Sequence, residues 1–226
     1  MISTPFQTGG LNVTTLIFVR HGVTAENLNY TLIGHTDPPL HEFGVLQAKA
    51  VANALQNVSV DCLYSSPLKR CLQTASVIAE RRRNLEINTC PALSEIHLGI
   101  VDGMSSFLAY DQYKSLMDAA LDDSLSDFQF PSGESRSAAL RRFQQGLDSL
   151  VAKHKEGTVC IVTHGGPLGL WLADYHGDPL GRFRHWQPHH ASIARVTYRD
   201  RRFHVDTLDS TEHLSNGLMK PPSQPS

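Results

Sequence analysis

Hydrophobic positions follow two periods that alternate along the chain. Leu16-Ile17-Phe18-Val19 is a continuous apolar run between polar residues, the pattern of a strand buried on both faces, and Thr15–Val19 is read as that strand. Val60–Tyr64 and Thr158–Thr163 read the same way. Glu42–Leu55 instead places Val45, Ala48, Ala52 and Leu55 at helical spacing, and Glu134–His154 does so with Leu140, Phe143, Leu147, Leu150 and Val151. Ser65-Ser66-Pro67 reads as a helix start, with serine as N-cap and proline in the first turn, the helix running toward Arg81. Gly165–Asp174 is a further helix, and Ala191–Tyr198 with Arg202–Thr207 predicts a closing hairpin over Arg199-Asp200. Strands alternating with helices predict an α/β fold. We expect a three-layer α/β/α sandwich whose sheet is mainly parallel with an antiparallel edge strand.

At 226 residues the chain suits one large domain, placed at 15–208. Residues 1–14 read as an irregular lead-in and 209–226 as a flexible tail rich in Ser, Gly and Pro. Residues 104–130 are the least regular part, with Phe107, Tyr110, Tyr113, Phe128 and Phe130 among acidic and small residues. They form either a lid over a substrate pocket or a helical satellite with its own small core. Hydrophobic content of 41% and a net charge of −2 are ordinary, so neither a nucleic acid nor an anionic membrane is an expected partner. Arg81-Arg82-Arg83 reads as a solvated helix end, since cations suit a helix C-terminus. Cys62, Cys71, Cys90 and Cys160 are scattered, which fits a reducing compartment and no zinc site. With no apolar run near ~18 residues and no charged-then-apolar start, a cytoplasmic location is expected.

The chemistry sits at strand ends. Arg20-His21-Gly22 follows the first strand, Ser65 through Arg70 follows the second, and Val162-Thr163-His164-Gly165-Gly166 closes another. In open α/β sheets ligands bind beyond the carboxyl ends of the strands, and helix N-termini there favour an anion. A neutral imidazole attacks phosphorus, and a guanidinium holds phosphoryl oxygens through its planar fork. Cationic arginines beside His21 should push its pKa down while the site is empty. His176, His185, His189 and His190 show no compact metal-ligand spacing, so no metal site is assigned; His189 or His190 is placed near the pocket because that segment precedes the closing strand.

Five motifs in order carry a resemblance across residues 15–200: Arg20-His21-Gly22-Val23-Thr24-Ala25-Glu26-Asn27, Ser65-Ser66-Pro67-Leu68-Lys69-Arg70 with Gln73-Thr74-Ala75, Leu93-Ser94-Glu95, Pro131-Ser132-Gly133-Glu134-Ser135, and Val162 to Gly166. The sequence resembles the histidine phosphatase superfamily, which also holds the cofactor-dependent phosphoglycerate mutases. The resemblance implies His21 as the phosphorylated nucleophile, and Arg20, Arg70 and His164 as groups that bind the phosphoryl. It makes Glu95 the proton donor and then the base, with Thr24, Asn27 and Gly165 lining the phosphate pocket. It implies no cofactor and a small phosphorylated metabolite as substrate. Glu134 is read as structural or as a support behind the site, an acid in the first turn of its helix.

Glu95 to Met117 contains one basic side chain apart from His97, namely Lys114, which favours a phosphomonoesterase over a mutase that must hold a bisphosphate. A non-enzymatic phospho-ligand-binding module is the third reading. The chain departs from the pattern at Val101-Asp102-Gly103, where Trp-Glu-Gly is frequent, and at His41, where threonine or serine is usual. The closing hairpin around Tyr198 offers a sheet edge for a homodimer.

Overall fold

Leu16 and Phe18 face one side of the sheet and Ile17 and Val19 the other, in a computed structural model that describes residues 13–82, 85–214 and 217–219. The strands are β1 (Thr14–Arg20), β2 (Cys62–Ser65), β3 (Ile87–Thr89), β4 (Gly157–Thr163), β5 (Ile193–Arg199) and β6 (Arg202–Ser210). They pair in the order β3-β2-β4-β1-β5-β6, with β3, β2, β4 and β1 parallel and the β5–β6 hairpin antiparallel at one edge. The helices are α1 (Ala25–Leu28), α2 (Glu42–Leu55), α3 (Lys69–Ala79), α4 (Ser106–Gln112), α5 (Lys114–Leu121), α6 (Arg136–Lys153) and α7 (Gly165–Tyr175).

One apolar layer joins Leu16, Phe18, Val159 and Ile161 to Phe143, Leu147 and Leu150 of α6 and to Leu168 and Trp171 of α7. The opposite layer joins Ile17, Val19, Cys160 and Val162 to Val51, Ala52 and Leu55 of α2 and to Cys71, Ala75 and Ile78 of α3. This is the expected three-layer α/β/α sandwich. Among the described residues, no helix is long and apolar enough to cross a membrane.

Several boundaries differ from the sequence reading. Helix α3 starts at Lys69, not at Ser65-Ser66-Pro67, because its first amide is capped from a distant loop: Lys69 N–H donates to Asp37 Oδ1 at 2.6 Å. That leaves Ser66 Oγ for Leu68 N–H and for the site below. Glu134 precedes the Ser135 N-cap of α6 and so stands outside the helix's first turn. Strand β3 escaped the sequence reading because it is a short edge strand with only Ile87 apolar. The tail begins later than residue 209, since β6 continues to Ser210 and Leu214 is buried in the α2–α3 layer. The lead-in ends before Thr14, the first residue of β1; residues 1–12 and most of the tail lie outside the described residues. In the basic run, Arg82 donates to Val58 O at 2.8 Å and to Leu55 O, so it serves the C-terminus of α2; Arg83 lies outside the described residues.

Within 104–130, Ala109 and Met117 pack with Val101, Leu32, Leu98, Met104, Tyr113 and Phe130 in a small separate cluster, while Phe107 is 77% exposed. The C-terminus of α5 is tied down by Arg136 Nη2 and Arg184 Nη1, each 2.6 Å from Ala120 O.

The loop after β1 is pressed against α2 without space for a side chain. A Cβ on Gly44 would lie 2.1 Å from Val23 O, and one on Gly22 would lie 2.4 Å from Gly44 O. Helix propensity alone favours Gly44→Ala by about 1 kcal/mol. Backbone overlap of this kind costs more, about 1–3 kcal/mol, so the substitution is expected to destabilise in urea unfolding. An unchanged or higher midpoint would refute the close approach.

Candidate active site

Parallel register brings three strand ends together. Arg20 lies opposite Thr163, and Ser65 opposite Val162. One residue further on, His21 N–H donates to Thr163 O at 3.1 Å and Ser66 N–H to Val162 O at 3.0 Å. His21 and His164 therefore meet edge to face, ring centres 5.1 Å apart. Both are buried. The Gly22 carbonyl, 2.8 Å from His21 Nδ1, can only accept, so Nδ1 carries the proton and Nε2 keeps its lone pair. Burial, then Arg70, then Arg20 hold the His21 pKa well below 6.5. His164 is depressed the same way by burial and Arg70, and its Nε2 lies 2.8 Å from Ser66 Oγ.

Two guanidinium groups face these rings. Arg70, in the first turn of α3 and 1% exposed, donates Nη1–H to Thr36 O at 3.0 Å and Nη2–H to Gly34 O at 2.9 Å. Arg20 donates Nη1–H to Pro188 O at 2.6 Å and Nη2–H to His190 Nε2 at 2.9 Å. Its pKa is pushed down to about 10 by burial, which still leaves it cationic at neutral pH. Nε of Arg20 and Nε of Arg70 are both buried without a hydrogen-bond partner. A buried unmet donor costs about 1–3 kcal/mol, more when charged, so the pair forms a site prepared for an anionic acceptor.

Glu95 approaches from the opposite wall. Thr163 Oγ1 holds Leu93 O at 2.8 Å, and Arg142 on α6 donates to the carbonyls of Ala92, Ser94 and Glu95 while pairing with Glu134 at 2.8 Å. Glu134, the acid of the Pro-Ser-Gly-Glu motif, thus steadies the arginine that holds the Glu95 loop. The Glu95 carboxylate accepts from Ile96 N–H at 2.8 Å and Gly166 N–H at 3.3 Å. Burial raises its pKa above 4.5 despite those bonds and both arginines. Glycines admit these groups: a Cβ on Gly165 would meet Arg20 Cζ at 2.8 Å, and one on Gly166 would meet Glu95 Oε1 at 2.1 Å.

His21, Arg20, Arg70, His164, Gly165 and Glu95 are brought to one place. Thr24 and Asn27 close the turn beside them as a reciprocal cap, with Asn27 N–H on Thr24 Oγ1 at 3.2 Å and Thr24 N–H on Asn27 Oδ1 at 3.0 Å. Thr74 of the third helix accepts from Gly22 N–H at 3.2 Å, and Gln73 from Leu40 N–H at 2.7 Å. His41, the second departure, N-caps α2 through Nδ1.

Asp102 belongs to the first departure noted above, whereas Gln47 carried no signal in the pattern. Asp102 accepts the amides of Gly34, His35 and Thr36 at 2.8, 2.7 and 3.0 Å, and so fixes the two carbonyls that hold Arg70. Gln47 accepts from Val23 N–H at 3.0 Å and donates to Leu218 O at 3.0 Å.

Fold and geometry together define an α/β protein with a neutral imidazole beside two arginine cations at the carboxyl edge of its parallel strands. The chain belongs to the histidine phosphatase superfamily (branch 1), whose family model matches residues 16–211. It is 30% identical over 203 residues to a probable phosphoglycerate mutase, GpmB, of Proteus mirabilis, covering 88% of this chain and 94% of that protein. It is 31% identical over 207 residues to the metal-independent phosphoserine phosphatase of Arabidopsis thaliana, covering 90% and 84%. Among solved structures it superposes on Bacillus stearothermophilus YhfR with a TM-score of 0.82 at 28% identity, covering 89% and 99%. A mycobacterial glucosyl-3-phosphoglycerate phosphatase solved with VO3 gives 0.76 at 25%, covering 87% and 99%.

The depressed histidines set a pH dependence of folding. Each of His21, His164 and His190 binds protons less readily folded than unfolded, so the stability they permit is present above about 6.5 and is lost as pH falls below it. His154 and His213 are lowered as well, so Glu95, with the opposite sign, stands as one group against five. The melting temperature should be lower at pH 5.5 than at pH 7.5, with a smaller gap in His164→Gln, as thermal scans at both pH values would show. A flat wild-type profile would contradict the assignment.

Proposed function

We propose that the protein is a metal-independent phosphomonoesterase acting on a small phosphorylated metabolite through a phosphohistidine on His21. The observation that carries this reading is the pair of buried, unpartnered Nε donors on Arg20 and Arg70, both close enough to His21 to depress its pKa.

His21 Nε2 attacks phosphorus as the bond to the leaving oxygen breaks, and the Glu95 carboxyl gives that oxygen its proton. An alkoxide leaves poorly without one. Water then attacks the phosphohistidine, Glu95 takes the water proton, and the P–N bond breaks to free phosphate. Arg20, Arg70 and His164 hold the charge that develops on the phosphoryl oxygens, as fixed donors in a site shielded from water. A dianion bound there further favours the protonated form of Glu95, which suits its first task.

The relatives' names supply substrates for trial, phosphoserine and glucosyl-3-phosphoglycerate among them. The similarity to GpmB keeps a phosphoglycerate mutase as the second reading, testable with bisphosphoglycerate present. Lys114, the one lysine or arginine between Glu95 and Met117, is exposed and paired with Asp118 at 2.7 Å. This supports hydrolysis over retention of a bisphosphate.

Phosphate release from a panel of phosphomonoesters, in excess chelator, is expected for the wild type and abolished in His21→Ala. Release that survives in the variant would defeat the phosphohistidine route, and no release from any compound would defeat the phosphatase reading. Glu95→Gln is expected to lower kcat/KM, which reports the step through leaving-group departure, by about 10²–10⁴-fold on alkyl phosphates, yet much less on p-nitrophenyl phosphate, whose leaving group needs no proton. Equal losses on both would remove Glu95 from the role of acid.

A further inference from the structure

Residues 188–192 wrap the backbone of Arg20 and His21, and the roles above make no use of them. Ala191 N–H is shared between Arg20 O at 3.0 Å and His21 O at 3.2 Å, and Arg20 N–H donates to Ser192 O at 3.3 Å. Ala191 is fully buried with φ of 56°, a left-handed turn that swings His190 back over Arg20. The turn is held from β6, where Asp209 accepts His189 N–H at 2.6 Å and meets His189 Nδ1 at 2.6 Å.

The His190 ring stands edge-on to His21, ring centres 5.3 Å apart, with its Nε2 2.9 Å from Arg20 Nη2. A guanidinium has donors only. The bond therefore requires a lone pair on His190 Nε2 and leaves the ring proton on Nδ1. Both residues also line a cavity of about 230 Å³, so the contact borders space for a ligand.

We propose that His190 is a positioning residue: by accepting from Nη2 it fixes the rotation of the Arg20 guanidinium, so that the unpartnered Nε edge stays turned to the anion. This rests on the reading of the site as a phosphoryl site. The Pro188 carbonyl holds Nη1, and His190 holds Nη2; with both anchored the fork has one orientation. A packing role would require only the ring's volume, whereas this role requires its acceptor.

The test compares His190→Leu, which keeps bulk without an acceptor, with His190→Gln, whose Oε1 can accept. Affinity for inorganic phosphate is measured by calorimetry, with kcat, KM and melting temperature alongside. His190→Leu should bind phosphate about tenfold more weakly, the scale of one lost charged hydrogen bond, with little change in melting temperature. His190→Gln should recover affinity to within about threefold of wild type. A long-range ¹H–¹⁵N spectrum should show His190 as the Nδ1–H tautomer, its signal assigned by its loss in His190→Gln. Unchanged affinity in His190→Leu, equal losses in both variants, or an Nε2–H tautomer would overturn the proposal while leaving the phosphoryl site standing. Wild-type protein that binds no phosphate would overturn both.

Discussion

Keeping Arg20 and Arg70 charged and out of water, within reach of one imidazole, demands acceptors for their N–H groups that do not cancel the charge. Burial of an ion costs several kcal/mol even after relaxation. A carboxylate would satisfy the donors but neutralise them, and a neutralised arginine offers an incoming phosphate little. Among the described residues neither arginine has a carboxylate partner; both are held by backbone carbonyls, with His190 as the exception. The negative charge stands one layer out. Asp102 organises the loop that holds Arg70, and Asp209 organises the turn that holds Arg20, each through backbone amides. This arrangement fixes the loop conformations around the site, and it leaves Nε of each arginine buried without a partner.

The same electrostatics act on His21 and on Glu95, which share the site with the two cations. For His21, burial and the arginines act in one direction, and both favour the neutral ring. For Glu95 they oppose each other, and burial prevails over Arg70 and Arg20. Burial and the two cations therefore favour a neutral His21, while burial shifts Glu95 toward its protonated form against the pull of those cations. Two cations with buried Nε donors and no carboxylate partner are a cost that folding leaves in place.

Much of this was legible in the chain. The two-sided strands, the faces of α2 and α6 and the convergence of His21, Arg70 and His164 follow from periodicity plus the rule for strand ends. Glu95 came from resemblance, because no local period marks a loop residue. What stayed hidden were long-range polar contacts. Nothing around Asp102 tells that its acceptors meet residues 34–36, and nothing in α6 tells that Arg142 reaches three carbonyls near Glu95. Hydrophobic pattern reports which face is buried, and a polar side chain's partner is set by tertiary approach. Ser66 shows the two in conflict: its local context reads as an N-cap, yet the fold gives the cap to Asp37 and the hydroxyl to His164.

Polar contacts are spread unevenly over the fold. The phosphoryl end depends on strand register, on glycines that admit no Cβ, and on carbonyl-held arginines, so almost any change there disturbs several contacts at once. The segments that could contact the rest of a substrate are tied to this frame at few points. Helix α5 is fastened at its C-terminus through Ala120 O to Arg136 and Arg184, and Arg184 also pairs with Asp123 and lines the cavity beside Arg20. Arg184 is thus a junction between the satellite helices and the anion site. The surroundings of His21 are fixed by dense polar contacts, and α5 joins them through the carbonyl of Ala120 and the arginines that hold it.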